Sequence, residues 1–377
     1  MRYIPSVLGR TFAKTRNVLR MTRFSRGLLI LLAVGLTASA CSPAYVMRAA
    51  WEEAKILNRR KPIARIVADT ATDWETRDKL LLVLQARQFA ADSLGLNAGD
   101  SYTLFSRVES DTLVMVLSAA PKDQFRPHTW WFPIVGSVPY KGYFELADAQ
   151  KEQRRLEARG YDTFLRPSAA FSTLGWFNDP LLSTLLRYDH VSLGNTVIHE
   201  LFHNTFYAPG QAVFNESLAS FVGGRGAIQF FCGRDGPQSP SCRTARGAWE
   251  DDLRFGAFME QLVKDVEALY ARTDLTREDK LRERERLFAD SQRRFAQEVR
   301  PQLTVDTYPS FTREPLNNAT LIARHIYYDR LHLFEEVYRS RNGDFIRAMN
   351  DIVAAARGNK ADPYAAVQAL LTPAVGG

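Results

Sequence analysis

At 377 residues the chain is long enough to bury a substantial apolar core, in one large domain or two lobes. Its formal charge of +7 misleads, because Arg2, Arg10, Lys14, Arg16, Arg20, Arg23 and Arg26 all fall within residues 1–40, which hold no acid; without them the chain carries 42 bases against 42 acids. That balance removes the case for nucleic-acid binding by bulk charge and assigns the basic excess to a targeting segment.

The segment reads as an export signal. A basic stretch precedes "GLLILLAVGL", Gly27 to Leu36, then the small residues "TASA" and Cys41. Ten apolar residues are too few to span a bilayer and suit a signal-peptide core. "ASAC" resembles the lipobox of bacterial lipoproteins, which implies a lipidated Cys41 as the mature N-terminus. Plain cleavage after Ala40 is the alternative, and Met21 is an alternative start. The chain is therefore expected to be exported and lipid-anchored to the cell envelope, at the periplasmic face of the outer membrane.

Residues 41–98 read as an N-terminal helical segment, with apolar residues at three- and four-residue spacing in "YVMRAAWEEAKILNRR" and "TRDKLLLVLQARQFAADSLGL". Residues 99–231 follow as a core in which "YTLFSRV", "DTLVMVLSAA" and "HTWWFPIVGSV" read as strands. "FELADAQKEQRRLEARG" reads as a helix ending at Gly160, and "DTFLRPSAAFS" as a further strand. Asp179 suits the cap of a helix starting at Pro180.

"HELFH" then fits H-E-x-x-H. On a helix, positions four apart share a face, so His199 and His203 can present two imidazoles to one ion. Glu200 is offset from His199 by roughly 100° of helix, beside such an ion rather than on it. A catalytic zinc takes three protein ligands and keeps one open position. Pro209-Gly210 signals a turn, after which a second helix from "NESLASFVGG" can bring Glu216 back as the third ligand, with the small Ala219 and Ser220 allowing close packing.

Residues 232–377 read as a mostly helical lobe: "AWEDDLRFGAFMEQLVKDVEALYAR", the highly charged "TREDKLRERERLFADSQRRFAQEV" as part of a solvated hairpin, and a last helix near "PLNNATLIARHIYYDRLHLFEEVY". Cys232 and Cys242 flank "GRDGPQSPS"; in an oxidising compartment a disulfide across that loop is expected, the alternative being two free thiols.

"HELFH" with "NESLAS" resembles the gluzincin metallopeptidases, which implies His199, His203 and Glu216 as zinc ligands and Glu200 as general base. "VGSVPYKGYF", "AAFSTLGWFNDPLL", "HELFHNTFY", "FNESLASFVG" and "PLNNATLIARHIYY" together resemble a family of bacterial lipoproteins classed as aminopeptidases of the zincin fold. The resemblance implies an α+β fold with a small mixed sheet over the metal helix, Zn²⁺ as cofactor and a peptide as substrate. It also implies an oxyanion donor from the C-terminal part, for which Tyr327 is favoured over Tyr328 and His325. His325 and His332 read as structural or exposed, and Tyr140 and Tyr143 as either packing residues or pocket walls. Three functions remain open: a lipid-anchored zinc peptidase, a non-catalytic envelope lipoprotein with a structural metal, and a metallohydrolase acting on a non-peptide amide, which the ligands alone do not separate from the first. Glu200 favours the first, because a structural site has no need of an unligated carboxylate there.

Overall fold

The computed structural model describes residues 59–108, 114–132, 136–168, 180–305 and 308–372. The leader, Cys41, Asp179 and most of the first expected helix lie outside the described residues. The architecture is α+β: many helices, with small separate sheets. None of the described helices is long and apolar enough to cross a membrane.

The described chain opens with β1 (Lys61–Pro62), α1 (Ile63–Ala68) and α2 (Trp74–Asp92), the last capped by Asp73, whose side chain accepts from the Thr76 N–H. β2 (Leu104–Ser106) pairs antiparallel with β1 and parallel with β8 (Leu181–Leu182). Between them run β3 (Val114–Pro121), β4 (Trp130–Phe132), β5 (Gly136–Val138), β6 (Tyr140–Tyr143), α3 (Leu146–Ala158) and β7 (Tyr161–Ser168). The single strand expected over "HTWWFPIVGSV" is an antiparallel hairpin instead, β4 against β5. Gly136, the first residue of β5, takes a positive φ of 74°, a conformation that glycine adopts without strain. The helix expected from Pro180 is displaced too: β8 occupies Leu181–Leu182, and only one 3₁₀ turn, Ser183–Arg187, follows.

The principal sheet is antiparallel in the order β6-β3-β7. Its residues alternate between two faces. Leu117, Ala119 and Tyr143 pack on α3 with Leu165 and Tyr161, forming one small core. In the register, Ser118 stands opposite both Tyr140 and Phe164, and Val116 opposite Arg166. These residues, with Ala120 and Asp162, therefore make up the second face.

The helical part continues through α4 (His190–Thr205), α5 (Ala212–Asp235), α6 (Pro240–Ala271) and α7 (Arg277–Arg294), then α8 (Pro309–Arg313), α9 (Asn318–His325), α10 (Leu331–Ser340), α11 (Phe345–Gly358) and α12 (Pro363–Ala369). One apolar core draws Leu80 and Val83 from α2, Val197 and Ile198 from α4, Phe221 from α5, and Phe334, Phe345 and Val367 from the last helices. A second, aromatic core of Phe255, Phe258, Phe288, Phe295 and Phe311 lies between α6, α7 and α8. So α7 is not merely solvated: it buries Arg284, Phe288 and Ser291. The last expected helix is broken. α9 ends at His325, Arg330 turns left-handed at φ 50°, and α10 begins at Leu331. The break is held from α6, whose Glu260 accepts from the Arg330 N–H at 2.9 Å.

The second face of the sheet is fastened to the helices by a buried polar knot. Asp162 accepts from the Arg284 guanidinium at 2.8 Å and from the Asn318 N–H at 3.1 Å. Asn318 donates to the Pro121 carbonyl at 2.8 Å and accepts from the Tyr270 hydroxyl at 2.8 Å, while Asn317 donates to the Thr163 carbonyl at 3.0 Å. The "NNAT" stretch is thus a capping box at the start of α9 combined with a docking point for the sheet. Burial raises the Asp162 carboxyl, and the Arg284 charge opposes it. Removing one partner of such a pair strands the other, at about 3–5 kcal/mol. Arg284→Met is accordingly expected to destabilise the protein by about that amount; adding Asp162→Asn should recover part of the loss, as read from urea unfolding midpoints.

Candidate metal centre

α4 starts at Asp189, whose carboxylate accepts from the Val191 and Ser192 N–H groups and is held below the ordinary range by the Ser192 and Val191 hydrogen bonds, which outweigh burial, the largest influence, acting upward. Val191, Gly194, Val197, Ile198, Leu201 and Phe202 recur at three- and four-residue spacing and face the core. That leaves His199 and His203 on the flank met by α5. Between the helices the chain extends at Phe206, turns at Gly210 (φ 78°) and re-enters a helix. Asn215 fixes this reversal. It is buried, and its side-chain amide both accepts from the Ala208 N–H and donates to the Ala208 carbonyl, each at 2.8 Å. Glu216 is the next residue, so its direction is set by that clamp.

The two helices cross closely because α5 presents glycines. A β-carbon on Gly223 would lie 2.4 Å from Asn195 Oδ1 and 3.1 Å from His199 Cβ, and one on Gly226 would lie 2.9 Å from Ile198 Cγ2. Ala219 is buried in the same contact region, and the Ser220 hydroxyl bonds back to the Glu216 carbonyl at 2.9 Å. The small residues that matter most are therefore one and two turns beyond the Ala219-Ser220 pair.

The outcome is a triangle of ligand atoms. His199 Nε2 lies 3.3 Å from His203 Nε2 and 3.4 Å from Glu216 Oε2, and His203 Nε2 lies 3.7 Å from the same oxygen. Bonds of ~2.0–2.1 Å at tetrahedral angles place ligand atoms roughly 3.3–3.4 Å apart, so the triangle has the size of one face of a zinc tetrahedron. These three side chains can hold a metal ion. Burial pushes the Glu216 carboxyl up, but hydrogen bonds from His199 and His203 outweigh it and hold the group well below the carboxylate range. It is ionised, as a metal ligand must be. His203 Nδ1 is buried with no hydrogen-bond partner among the described residues.

Other groups crowd the triangle. Glu200, partly buried on α4, exerts its charge on His203, Tyr188 and Tyr327. Tyr327 sits in the break between α9 and α10 rather than on a helix, with its ring 6.3 Å from that of His199. Burial, and then the Glu216 and Glu200 charges, push its hydroxyl up to about 12, so it stays a proton donor at neutral pH. Tyr140 of β6 and Tyr207 after α4 also feel Glu216, and burial raises both. Of the pair left open by sequence, Tyr140 thus faces the triangle, and Tyr143 packs on the opposite face of the sheet.

The family model described as "Putative aminopeptidase" matches residues 44–365. The chain belongs to that family. No curated protein and no solved structure matches the chain. The matched span takes in the sheet, both helices of the triangle and the break that carries Tyr327.

The remaining candidates lie elsewhere. His325 contacts Asp329 at 3.3 Å and is lowered by burial; His332 pairs with Glu260 at 3.0 Å, and that bond raises it. His128 meets Trp130 and Tyr161 edge-on, and His190 contacts Asp78 at 2.6 Å. Cys232 and Cys242 are joined by a disulfide, within the end of α5 and the start of α6, so the intervening loop is only Gly236–Ser239. Missed at the sequence level were Arg166, Tyr188 and Tyr207 around the triangle, the clamp by Asn215 and the crossing at Gly223. The signal for the last was present as small residues at positions 219, 223 and 226.

Metal analysis of the mature protein should return about one ion per chain, as a single three-ligand site requires. His203→Ala should abolish tight binding. Gly223→Ala should weaken it by roughly 10–100-fold, the scale seen when supports of metal ligands are disturbed, in a chelator competition titration.

Proposed function

We propose that the protein is a zinc-dependent peptidase with a zincin-like catalytic core. The observation that carries this reading is the coincidence of a zinc-sized triangle of His199, His203 and Glu216 with an unligated carboxylate, Glu200, at its edge. The residues fit the ion in number, chemistry and spacing. Zinc held there would supply a Lewis acid that acidifies water and polarises a carbonyl. Membership of an aminopeptidase family supports a peptide as substrate, with cleavage at its amino end as the mode the family description implies.

The chain's own groups then have distinct tasks. Glu200 accepts the proton of the attacking water and passes it to the departing amine. The Tyr327 hydroxyl donates to the oxygen that gains charge as the carbonyl is attacked, and its raised pKa keeps that proton in place. Tyr140 and Tyr207 add further hydroxyls near Glu216. A non-catalytic role for the metal is less well supported, since it gives Glu200 and the surrounding tyrosines nothing to do.

The basic leader, its apolar core and Cys41 support export and lipid anchoring to the envelope, at the periplasmic face of the outer membrane. A single acyl chain holds a protein only weakly, so several are expected on Cys41. Mass spectrometry of the mature N-terminus should find an acylated Cys41; an unmodified cysteine, or a different first residue, would refute the anchor.

Glu200→Gln keeps the shape and removes the base. Peptidase activity of the zinc-loaded variant should fall by about 10²–10⁴-fold, with zinc content and melting temperature nearly unchanged. Tyr327→Phe should lower kcat by about 10²–10³-fold, the loss typical of one oxyanion donor. If Glu200→Gln turns over as fast as the wild type, the mechanism is wrong.

A further inference from the structure

Arg166 has no role in the chemistry described above, yet the sheet aims it at the metal centre. On β7, Asp162, Phe164 and Arg166 point to one side. Asp162 is tied to the first residue of α9, through the Asn318 N–H. Phe164 packs with Ala319 and Ile322, the next residue and the next turn of α9. α9 therefore runs alongside β7, and Arg166 falls where α9 has ended and Tyr327 begins. The guanidinium charge acts on Tyr327, Tyr140 and Tyr188 alike. It is only partly buried. Among the described residues, the carboxylates that act on these same tyrosines are Glu200 and Glu216, both already engaged.

We propose that Arg166, with the Tyr140 hydroxyl beside it, forms an anion-reading subsite that takes a carboxylate of the peptide on the carboxyl side of the scissile bond. This rests on the peptidase reading for the identity of the ligand. A guanidinium offers two parallel N–H groups in the geometry that a carboxylate accepts, and the Tyr140 hydroxyl can add a third donor. The opposite polarity is disfavoured at this spot, because an ammonium would meet Arg166 and the bound metal ion as like charges. The carboxylate has two possible sources, the free C-terminus of a short peptide or an acidic side chain following the cleaved bond. The shared chemistry predicts a preference for substrates with an anion one residue beyond the reacting carbonyl.

The test uses zinc-loaded protein and three probes: Ala-Phe, Ala-Phe amide and Ala-Glu amide. Hydrolysis is followed in the wild type, and dissociation constants are measured by calorimetry in the Glu200→Gln background. Charge-assisted hydrogen bonds of this kind correspond to roughly a 10–100-fold preference, so Ala-Phe, Ala-Glu amide or both should surpass Ala-Phe amide by that ratio. A preference for Ala-Phe alone identifies the C-terminus as the anion, and one for Ala-Glu amide alone identifies the side chain. Arg166→Gln should bring the ratio close to one with zinc content retained, and Arg166→Lys, which keeps the charge without the fork, should restore part of it. Equal treatment of all three probes by the wild type, or a preference that survives Arg166→Gln, overturns the proposal and leaves the peptidase reading intact. Arg166-dependent binding of Ala-Phe over its amide, with no probe hydrolysed, does the reverse.

Discussion

Everything at this centre depends on how close α5 can come to α4. Two histidines one turn apart define a direction, but a metal site needs a third atom within roughly 3.5 Å of both. Only a helix whose backbone lies almost against its neighbour can deliver a side chain as short as glutamate to that point. Gly223 and Gly226 permit this, since a single methyl group at either position would press into α4. Gly224, on the next face, does the same for the Trp249 ring of α6. α5 is thus thinned on two sides, and the cost in backbone entropy that glycine brings to a helix is offset by the packing it allows. The Asn215 clamp then sets the helix's axial position, because a shift of one residue would carry Glu216 to another face.

The cleft over this floor is built by a different part of the chain. The sheet carries its own small core against α3 and contributes Tyr140 and Arg166 from its other face. It is held over the helices by the polar groups of Asp162, Arg284, Asn318 and Tyr270, together with a small apolar contact of Ala120 and Phe164 on Ala319 and Ile322. A buried ion pair adds little net stability compared with apolar packing, yet its geometry is demanding. Here that geometry fixes which residues of β7 pass over the metal centre. The floor supplies His199, His203, Glu216 and Glu200, and the wall supplies hydroxyls and a positive charge.

The parts legible in the sequence were those set by local spacing. H-E-x-x-H places His199, Glu200 and His203 by helical geometry alone, and Glu216 follows because only a short turn intervenes. Apolar residues at three- and four-residue spacing marked α2, and "FELADAQKEQRRLEARG" and "AWEDDLRFGAFMEQLVKDVEALYAR" marked α3 and α6. What eluded it depends on partners distant in the chain. The break before α10 is secured by Glu260, some 70 residues away, and nothing in "HIYYDRLHL" announces it. The docking role of "NNAT" shows only when β7 is placed beside it. Arg166 looked like one charge in a strand, because the face on which it lies acquires meaning only when α9 covers its neighbours.

The disulfide stands at the opposite end of α5 from Glu216. Sixteen residues of helix, at 1.5 Å each, put roughly 24 Å between Cys232 and the ligand. Chemistry at the cysteines is therefore remote from chemistry at the metal, and a thiol reductant would loosen the α5–α6 corner without touching the ligand triangle. The chain has three cysteines, and acylation would withdraw Cys41 from the thiol pool. Oxidation then has one possible intramolecular product, closed between partners ten positions apart. Such a ring can form before the long-range contacts of the sheet are made, so the chain needs no isomerase to sort its pairing.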